Sequence, residues 1–242
     1  MRRVLTRVIN RVLMGDPFAR TKMGVNAEVH KQGRRKLVVG LGNPGMEETR
    51  HSVGMAVLGA LAARLGVSDR WRGDRHVSGE VILSEVQDTQ VVLLRPRLLM
   101  NINGVCVAKA ARKYGVKPED ILLVHDELDK PLGKVAIKHG GSARGHNGVR
   151  SCVDCLHTDA VLRLRVGIGR PSGETSVERY VLSRFTSEEQ RILDSVLVRS
   201  VDLVVSQLLP AASHQDPRPA SSPAGGGRAA PHGKQREPSP ED

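Results

Sequence analysis

An asparagine, a histidine and an aspartate follow predicted strands of this chain. Together, side chains of these three types can hydrolyse an ester or amide. Asn43 lies in "VVGLGNPG", directly after a short apolar run, and His51 ends the polar loop that comes next. Asp126 follows the apolar run "ILLV". A histidine can take a proton from water at neutral pH, and an aspartate can hold that imidazole in one tautomer and stabilise its charged form. The set predicts hydrolysis by a base-activated water, without a covalent nucleophile.

Further polar residues stand where helices are predicted to begin. Asn101 and Asn103 come just before one helix, and His146 and Asn147 follow the glycine-rich "KHGGSARG" and start another. Asparagine side chains and helix-start amide groups can hold a carbonyl and a developing oxyanion. Each residue alone is more often a cap or a turn residue. Together, at four strand exits of one predicted sheet, they indicate an active site in the crevice beyond the strand ends.

The glycines of the first motif also spell a dinucleotide-binding fingerprint, Gly40-x-Gly42-x-x-Gly45. That site needs a helix opening directly after the third glycine and an acidic residue about 20 positions on. Here helical periodicity begins only near Val53, and residues 49–68 contain no acid. A nicotinamide-dependent enzyme is therefore the less favoured alternative, and no cofactor is predicted.

Metal and disulfide chemistry find little support in the sequence. Cys152 and Cys155 form a C-x-x-C without the second pair that a zinc site needs, and three cysteines make no disulfide framework. A metal hydrolase could draw on a second donor set, namely His125, Asp126, Glu127 and His139. Strand alternation, however, points His125 and Asp126 to opposite sides. We expect no metal site and a reducing compartment.

Strand and helix signals alternate along the chain. Strands are predicted over residues 36–40, 77–86, 90–95, 121–125, 134–138 and 162–169, and helices over residues 52–65, 103–114, 147–156 and 187–209. The last helix begins at a capping signal, "TSEEQ". This alternation predicts an α/β fold: a single domain over residues 36–209, with a mixed, mostly parallel central sheet flanked by helices.

The two ends of the chain differ from this body in composition. Residues 1–35 form a basic leader in which Arg3, Arg7 and Arg11 lie opposite an apolar face, which is typical of a mitochondrial transit peptide. The alternative is a disordered basic arm of a cytoplasmic protein that contacts RNA. Residues 210–242 are rich in Pro, Gly, Ser and Ala and are predicted to be disordered. No apolar run reaches the length of about 18 residues that a membrane helix needs.

Positive charge suggests a polyanionic partner. The formal net charge is +11, but residues 1–35 alone carry +7. The better indication is local: residues 130–170 hold eight Lys or Arg and only two acids. A basic face that only contacts solvent would explain the charge equally well. A non-catalytic RNA-binding protein, which would keep the same basic surface, stays the alternative to an enzyme.

Six motifs, in order, resemble the bacterial-type peptidyl-tRNA hydrolases: "VVGLGNPG", "TRHSVGM", "LLMNINGVCV", "VHDELDKPLGKVAIK", "GGSARGHNGVRS" and "RLRVGIGRP". The resemblance covers residues 36 to 209. It implies a monomeric α/β esterase that cleaves the bond between an N-blocked peptide and the 3′ ribose of tRNA, so recycling tRNA from stalled translation.

The same resemblance assigns roles by motif. It implies that His51 is the general base, that Asp126 is its partner, and that Asn43 distinguishes N-blocked from free aminoacyl-tRNA. Asn101 and Asn147 would bind the peptide and the tRNA end, and Asn147 would help to place the water. The remaining implied residues are Met100 and His146, which would line the site, and Lys134, Lys138 and Arg165, which would contact tRNA phosphates.

Two positions depart from the family pattern. The loop "NPGMEETRH" is shorter than usual and lacks a tyrosine, and Leu99 stands where the family has an aromatic residue before Met-Asn. Because a terminal adenine is commonly held by stacking on a ring, we expect this chain to rely less on that base and more on phosphates.

Overall fold

The computed structural model of this protein describes residues 34–209. The predicted transit peptide lies outside the described residues except for its last two, and the predicted disordered tail, residues 210–242, lies outside them entirely. The first strand begins at Arg34, two residues before the predicted start of the domain.

Within residues 34–209, seven strands form one sheet, and five α-helices flank it. The strands are β1 (Arg34–Gly40), β2 (Arg72–Asp74), β3 (Gly79–Val86), β4 (Thr89–Pro96), β5 (Ile121–Glu127), β6 (Val135–His139) and β7 (Leu162–Gly167). The helices are α1 (Val53–Arg64), α2 (Asn103–Tyr114), α3 (Asn147–Leu156), α4 (Val177–Val181) and α5 (Ser187–Leu208). The prediction of a single α/β domain around a mixed sheet is confirmed.

The strand order is β2-β3-β4-β1-β5-β7-β6. Strands β4, β1, β5 and β7 run parallel in the middle, whereas β2, β3 and β6 are antiparallel to their neighbours. All seven residues of β5 are buried, because helices cover both faces of the sheet. Helices α1 and α5 pack on one face and α2 and α3 on the other.

Two of the three glycines that resemble a nucleotide fingerprint, Gly40 and Gly42, lie against α1 and serve helix packing instead. A Cβ atom on Gly40 would lie 2.4 Å from the carbonyl oxygen of Gly54, and one on Gly54 would lie 2.2 Å from that of Val124. Both approaches are closer than real side chains allow, so only glycine permits α1 to lie this near to β1 and β5. The helix begins at Val53, well beyond Gly45, as the sequence indicates.

Most predicted elements are confirmed, and the differences concern short or terminal pieces. The capping box predicted at "TSEEQ" is present, since Thr186 accepts from the backbone N–H of Glu189 and the Glu189 side chain accepts from that of Thr186. The three-residue strand β2 and the five-residue helix α4 are absent from the prediction, because neither is long enough to show a hydrophobic period. Strand β5 runs two residues further than predicted and so includes Asp126.

One prediction about the strand exits is wrong. The sequence places His146 after a strand exit at the same edge as Asn43, Asn101 and Asp126. Strand β6 is antiparallel to β7, and His139 at its end pairs with Leu162 at the start of β7, so β6 ends at the opposite edge. Residues 140–146 return along the sheet and bring His146 to the site as the first residue before α3.

Within residues 34–209, no helix is long and apolar enough to cross a bilayer.

Candidate active site

A cavity of about 800 Å³ opens beyond the carboxyl ends of β1, β4 and β5. It is lined by eight of the residues singled out in the sequence: Asn43, His51, Leu99, Met100, Asn101, Asp126, His146 and Asn147. Parallel strands end at the same edge of a sheet, which explains why residues so far apart in sequence meet there. Lys134, Lys138 and Arg165 are not among its lining residues.

His51 lies in a 3₁₀ turn, Arg50–Ser52, directly before α1. Its Nδ1 is 2.9 Å from Oδ1 of Asp126 and 3.0 Å from Oδ2. Because a carboxylate only accepts hydrogen bonds, Nδ1 carries the proton. Nε2 is then left with its lone pair, as the nitrogen available to a water in the cavity. This is the arrangement that a general base requires.

A second histidine, His146, donates to the same carboxylate. Its Nε2 is 2.8 Å from Oδ1 of Asp126, and its Nδ1 accepts the backbone N–H of Val149 at 3.2 Å as the N-cap of α3. An Nδ1 that accepts must be unprotonated, so the proton is on Nε2. The helix start therefore fixes the tautomer in which His146 donates to Asp126. No sequence signal indicates this hydrogen bond, since the resemblance implies only that His146 lines the site.

Asp126 is held ionised by these two partners. It is only 3% exposed, and burial alone would raise its pKa. The hydrogen bonds and charges of His146 and His51 outweigh burial, however, and hold the pKa of Asp126 well below its usual range. The carboxylate is thus negative at all working pH values, ready to stabilise a protonated His51.

His125 is a third histidine of this cluster that the sequence interpretation placed only in a metal set. It is buried, its Nδ1 lies 2.6 Å from the backbone carbonyl of Asp126, and its ring packs edge-on against His146 with centroids 4.7 Å apart. Burial, reinforced by His146, lowers the pKa of His125 to about 3. The ring is therefore neutral and contributes shape rather than charge.

Asn43 presents donor hydrogens to the cavity. Its Oδ1 accepts the backbone N–H of Met100 at 2.7 Å, which identifies the oxygen of the amide without ambiguity. The Nδ2 group is thus left to donate to a bound carbonyl. The backbone N–H of Asn43 in turn donates to Ser52 Oγ at 3.1 Å, so the turn after β1 is tied to the turn that carries His51.

The other asparagines divide into one structural residue and two exposed ones. Asn103 is fully buried and accepts from Gly42 while donating to the carbonyls of Leu98 and Leu99. It joins the β1 exit to the β4 exit and faces no substrate. Asn101 and Asn147 are exposed at the cavity, where their amides are free to bind a ligand.

Apolar side chains form one wall of the cavity. Met100 is buried beneath the floor and Leu99 is 57% exposed at the rim. Helix α4 supplies Val177 and Val181 on the other side. The sequence interpretation missed this wall, although Ser176, which caps α4 by accepting from Arg179, is a signal for a helix start.

Arg50 fastens the His51 turn to the last two helices. Its buried guanidinium donates to Glu189 at 2.8 Å and to Ser183 Oγ at 3.2 Å. It also lies over the rings of Tyr180 and Phe185, 4.5 and 4.8 Å from their centroids. In a chain with only two Tyr and two Phe, placing one of each around this group makes Arg50 a strong anchor.

The basic residues expected to bind phosphate share one face of β6 and β7. Lys138 pairs with Arg163 and Ala136 with Arg165 across the two strands, and Lys134 directly precedes β6 in the same alternation. Burial, together with the charges of Arg163, Arg144 and Arg165, lowers the pKa of Lys138, as expected where cations crowd together. Such crowding is relieved by an anion.

Three basic residues of the 130–170 run already have partners. Arg163 is 2% exposed and donates to the carbonyls of Gly140, Gly141 and Ser142, which holds the loop before α3. Arg170 pairs with Asp129, and Arg165 pairs with the buried Glu127 at 3.4 Å. The charge available to a ligand is therefore smaller than the sequence count suggests.

The same cluster also contains a set of metal donors. One atom each of His51, Asp126 and His146 lies within 4.8 Å of the others. A metal would need the lone pair of the nitrogen that faces Asp126, yet in His146 that nitrogen carries the proton because Val149 occupies the other one. Direct hydrogen bonds account for this geometry. The donor set weighed from the sequence does not assemble, since His139 is at the opposite edge from Asp126.

Comparisons with known proteins agree with one another. Residues 37–216 match the family described as peptidyl-tRNA hydrolase. A probable peptidyl-tRNA hydrolase of Mus musculus is 54% identical over 182 residues, which is 75% of this chain and 89% of that protein. A peptidyl-tRNA hydrolase of Rhodococcus opacus is 44% identical over 69% of this chain and 88% of its own length. The crystal structure of the Acinetobacter baumannii peptidyl-tRNA hydrolase superposes with a TM-score of 0.66 at 35% identity, covering 72% of this chain and 87% of that one.

Proposed function

Because this chain belongs to the peptidyl-tRNA hydrolase family and is a hydrolase acting on ester bonds, we propose that His51, oriented by Asp126, is its catalytic base. The observation that carries the proposal is the pair of short distances from His51 Nδ1 to both oxygens of Asp126. They leave Nε2 of His51 as the basic atom at the cavity.

The reaction follows from that geometry. Nε2 of His51 takes a proton from a water while the water oxygen bonds to the ester carbonyl carbon. The carboxylate of Asp126 stabilises the imidazolium that forms. When the ester C–O bond breaks, His51 returns the proton to the departing 3′ oxygen of the ribose. The products are a tRNA with a free 3′ hydroxyl and a peptide carboxylic acid, which loses its proton to the solvent and becomes a carboxylate.

Amide donors around the cavity would hold the oxygens of the substrate. The Nδ2 group of Asn43 is directed to a carbonyl by the bond that its Oδ1 makes to Met100. At this position it favours an N-blocked substrate, whose first amide carbonyl it can bind, over a free amine. Asn147 at the start of α3 and Asn101 would bind the tRNA end and the peptide, with Asn147 also placing the water.

The basic face would bind tRNA at a distance from the ester. Lys134, Lys138 and Arg165 share one side of β6 and β7 and lie outside the catalytic cavity. Phosphate contacts of this kind supply affinity and register without reading bases. Leu99 at the rim would give the terminal adenine apolar contact without a stacking ring.

The test of catalysis is release of labelled N-acetyl amino acid from acylated tRNA by the full chain. We expect turnover by the wild type without added metal or cofactor, and a rate lower by roughly 10²–10⁴ for His51→Ala. A wild type that binds the tRNA but releases nothing would favour the alternative, a non-catalytic RNA-binding protein of the same fold. Thermal stabilisation by a nicotinamide cofactor would favour the nucleotide-binding alternative, which the late start of α1 argues against.

We further propose that the protein acts as a monomer in the mitochondrial matrix, recycling tRNA from stalled translation. The support for import is the arginine spacing and the lack of acids before Asp16 in residues 1–35. A reporter fused to residues 1–35 should enter mitochondria, and replacing Arg3, Arg7 and Arg11 with Glu should abolish uptake. A reporter that stays in the cytosol with the intact leader would contradict this. Sedimentation of the full chain would test the monomer.

A further inference from the structure

Arg144 occupies a backbone conformation that its side chain does not favour. It follows Ala143 in a tight turn closed by the hydrogen bond from the His146 N–H to the Ala143 carbonyl, at 2.9 Å. The two central residues, Arg144 and Gly145, have φ of +46° and +84°. Positive φ at both central positions is the pattern of a type I′ turn, for which Asn-Gly is the preferred pair. An arginine in the first position carries steric strain that an asparagine would avoid.

The strain is located at the mouth of the catalytic cavity. Four residues other than glycine have positive φ within residues 34–209: Ser78, Gln87, Arg144 and His157. Of these, only Arg144 lines the cavity that holds His51 and Asp126. Strained residues that persist at a ligand site commonly do so because the site uses the side chain. The turn therefore has an arginine here although an asparagine would have less steric strain.

The surroundings of Arg144 call for an anion. Its side chain is exposed. Several other arginines within residues 34–209 form ion pairs with carboxylates, but Arg144 does not. It lies near enough to Lys138 to contribute, with burial and two other arginines, to lowering the pKa of that lysine. Arg144 thus stands between two regions: the hydrolytic cluster on one side and the basic face of β6 and β7 on the other.

We propose that Arg144 binds the phosphodiester that precedes the terminal nucleotide of the substrate. This inference rests on the proposed function, because it takes the ester to lie at Nε2 of His51. A substrate whose ester is at that atom, and whose distal phosphates are on Lys138 and Arg165, must pass the mouth of the cavity with its last phosphodiester. The guanidinium of Arg144 offers the planar donor fork that phosphate oxygens accept. The missing ring at Leu99 makes such an electrostatic hold more necessary.

The experiment compares two acylated trinucleotides that end in the tRNA 3′ sequence. In one, the last phosphodiester is charged, and in the other it is replaced by an uncharged methylphosphonate. The wild type should lose about tenfold in kcat/KM on the methylphosphonate, as expected for one charge-assisted hydrogen-bond pair. In Arg144→Asn, which suits the turn, kcat/KM on the charged substrate should be about tenfold below that of the wild type. Replacing the charged substrate by the uncharged one should lower kcat/KM of this variant hardly further. Arg144→Lys should recover part of the loss.

Two control variants separate binding from folding and from general charge. Arg150→Ala removes the same charge from α3 on the neighbouring side of the loop, outside the catalytic cavity, and should keep the wild-type response to the methylphosphonate. Gln87→Asn eases the same backbone strain in the β3–β4 turn, away from the site. Like Arg144→Asn, it should leave Tm unchanged or raise it, but without loss of activity.

Outcomes against the proposal are equally definite. If Arg144→Asn remains fully sensitive to the methylphosphonate, Arg144 does not bind that group. Equal losses on both substrates, relative to the wild type, would mean that Arg144 acts by holding His146 in place. If the wild type hydrolyses neither trinucleotide nor acylated tRNA, the proposed function itself fails, and that result is distinct from either outcome for Arg144.

Discussion

The two regions that we propose to bind one substrate are built on opposite physical principles. In the histidine–aspartate cluster, His51, His146 and Asp126 are largely withdrawn from solvent and joined by hydrogen bonds of 2.8 to 3.0 Å. On the basic face, Lys138 and Arg165 keep like charges side by side, and of the two only Arg165 pairs with a carboxylate, that of Glu127, within residues 34–209. The hydrogen bonds of the cluster are complete without substrate, whereas on our proposal the basic face gains its remaining counter-charges only from the substrate. Changes in the cluster should therefore be severe and independent of salt, and changes on the basic face mild and dependent on it.

The largest effect should come from His51→Ala. It removes the basic nitrogen that Asp126 leaves free at the cavity, so the hydrolysis rate should fall by roughly 10²–10⁴ while folding and tRNA affinity stay near those of the wild type. Single-turnover rates with acylated tRNA, at low and high salt, measure this. Asp126→Asn should also slow the reaction, because it destabilises the required tautomer of His51. Retention of more than about a tenth of the activity in His51→Ala would contradict a general-base role of this size.

The buried cluster should also make stability depend on pH through His125. Its pKa in the folded protein, about 3, lies below the ordinary value of 6.5. Between pH 3 and pH 6.5, therefore, the unfolded chain binds a proton at His125 and the folded protein does not. Stability is unaffected above pH 6.5 and falls as the pH drops, by roughly 1.4 kcal/mol per pH unit. At pH 5 this amounts to about 2 kcal/mol relative to pH 7.

Urea unfolding at pH 7 and pH 5 tests that effect. His125→Gln should show a smaller difference between the two pH values than the wild type, whatever its absolute stability. The exposed His139 provides the matched control, and His139→Gln should retain the wild-type difference. An unchanged difference in His125→Gln would show that this histidine does not titrate as its burial requires.

Much of the sheet, but only part of the site, could be predicted from the sequence. The four parallel strands, the four longer helices and the residues at three strand exits followed from apolar runs, caps and polar punctuation. The antiparallel direction of β6 did not, because neither its composition nor its loop length records strand direction. For the same reason the bond from His146 to Asp126 was out of reach: it depends on a loop that crosses back along the sheet and on an N-cap formed by a histidine side chain.

On the basic face, Lys138→Ala and Arg165→Ala should weaken tRNA binding, roughly tenfold when combined. The slope of log affinity against log salt should fall by about 0.7–0.9 for each phosphate that is no longer neutralised. Filter binding of deacylated tRNA over a range of salt concentrations measures both. A short acylated fragment that lacks the distant phosphates should be hydrolysed as by the wild type, and equal losses on fragment and full tRNA would rule out this assignment.

The smallest expected effect is a gain at the rim between the two regions. Leu99→Phe supplies the ring face that the wild type lacks, and because Leu99 is more than half exposed there is room for it. Short 3′-end fragments should bind about fivefold more tightly, which corresponds to the lower end, about 1 kcal/mol, of the range for base stacking. Replacing the terminal adenine should then cost the Phe variant more than the wild type in kcat/KM. A large wild-type penalty that Leu99→Phe leaves unchanged would mean that another group already reads the base.

The anchor formed by Arg50 has a consequence for the timing of activity during synthesis. The turn that carries His51 leaves the ribosome early, but the carboxylate that binds Arg50, that of Glu189, is made about 140 residues later, within α5. Until that helix has emerged and packed, Arg50 lacks the carboxylate and the two rings that hold it. A growing copy of this enzyme is itself a peptide esterified to tRNA, the kind of molecule that the finished enzyme cleaves. The turn that carries His51 gains its full support only once nearly the whole domain has been translated, so we expect an incomplete copy to be poorly equipped to act on its own or a neighbouring nascent chain.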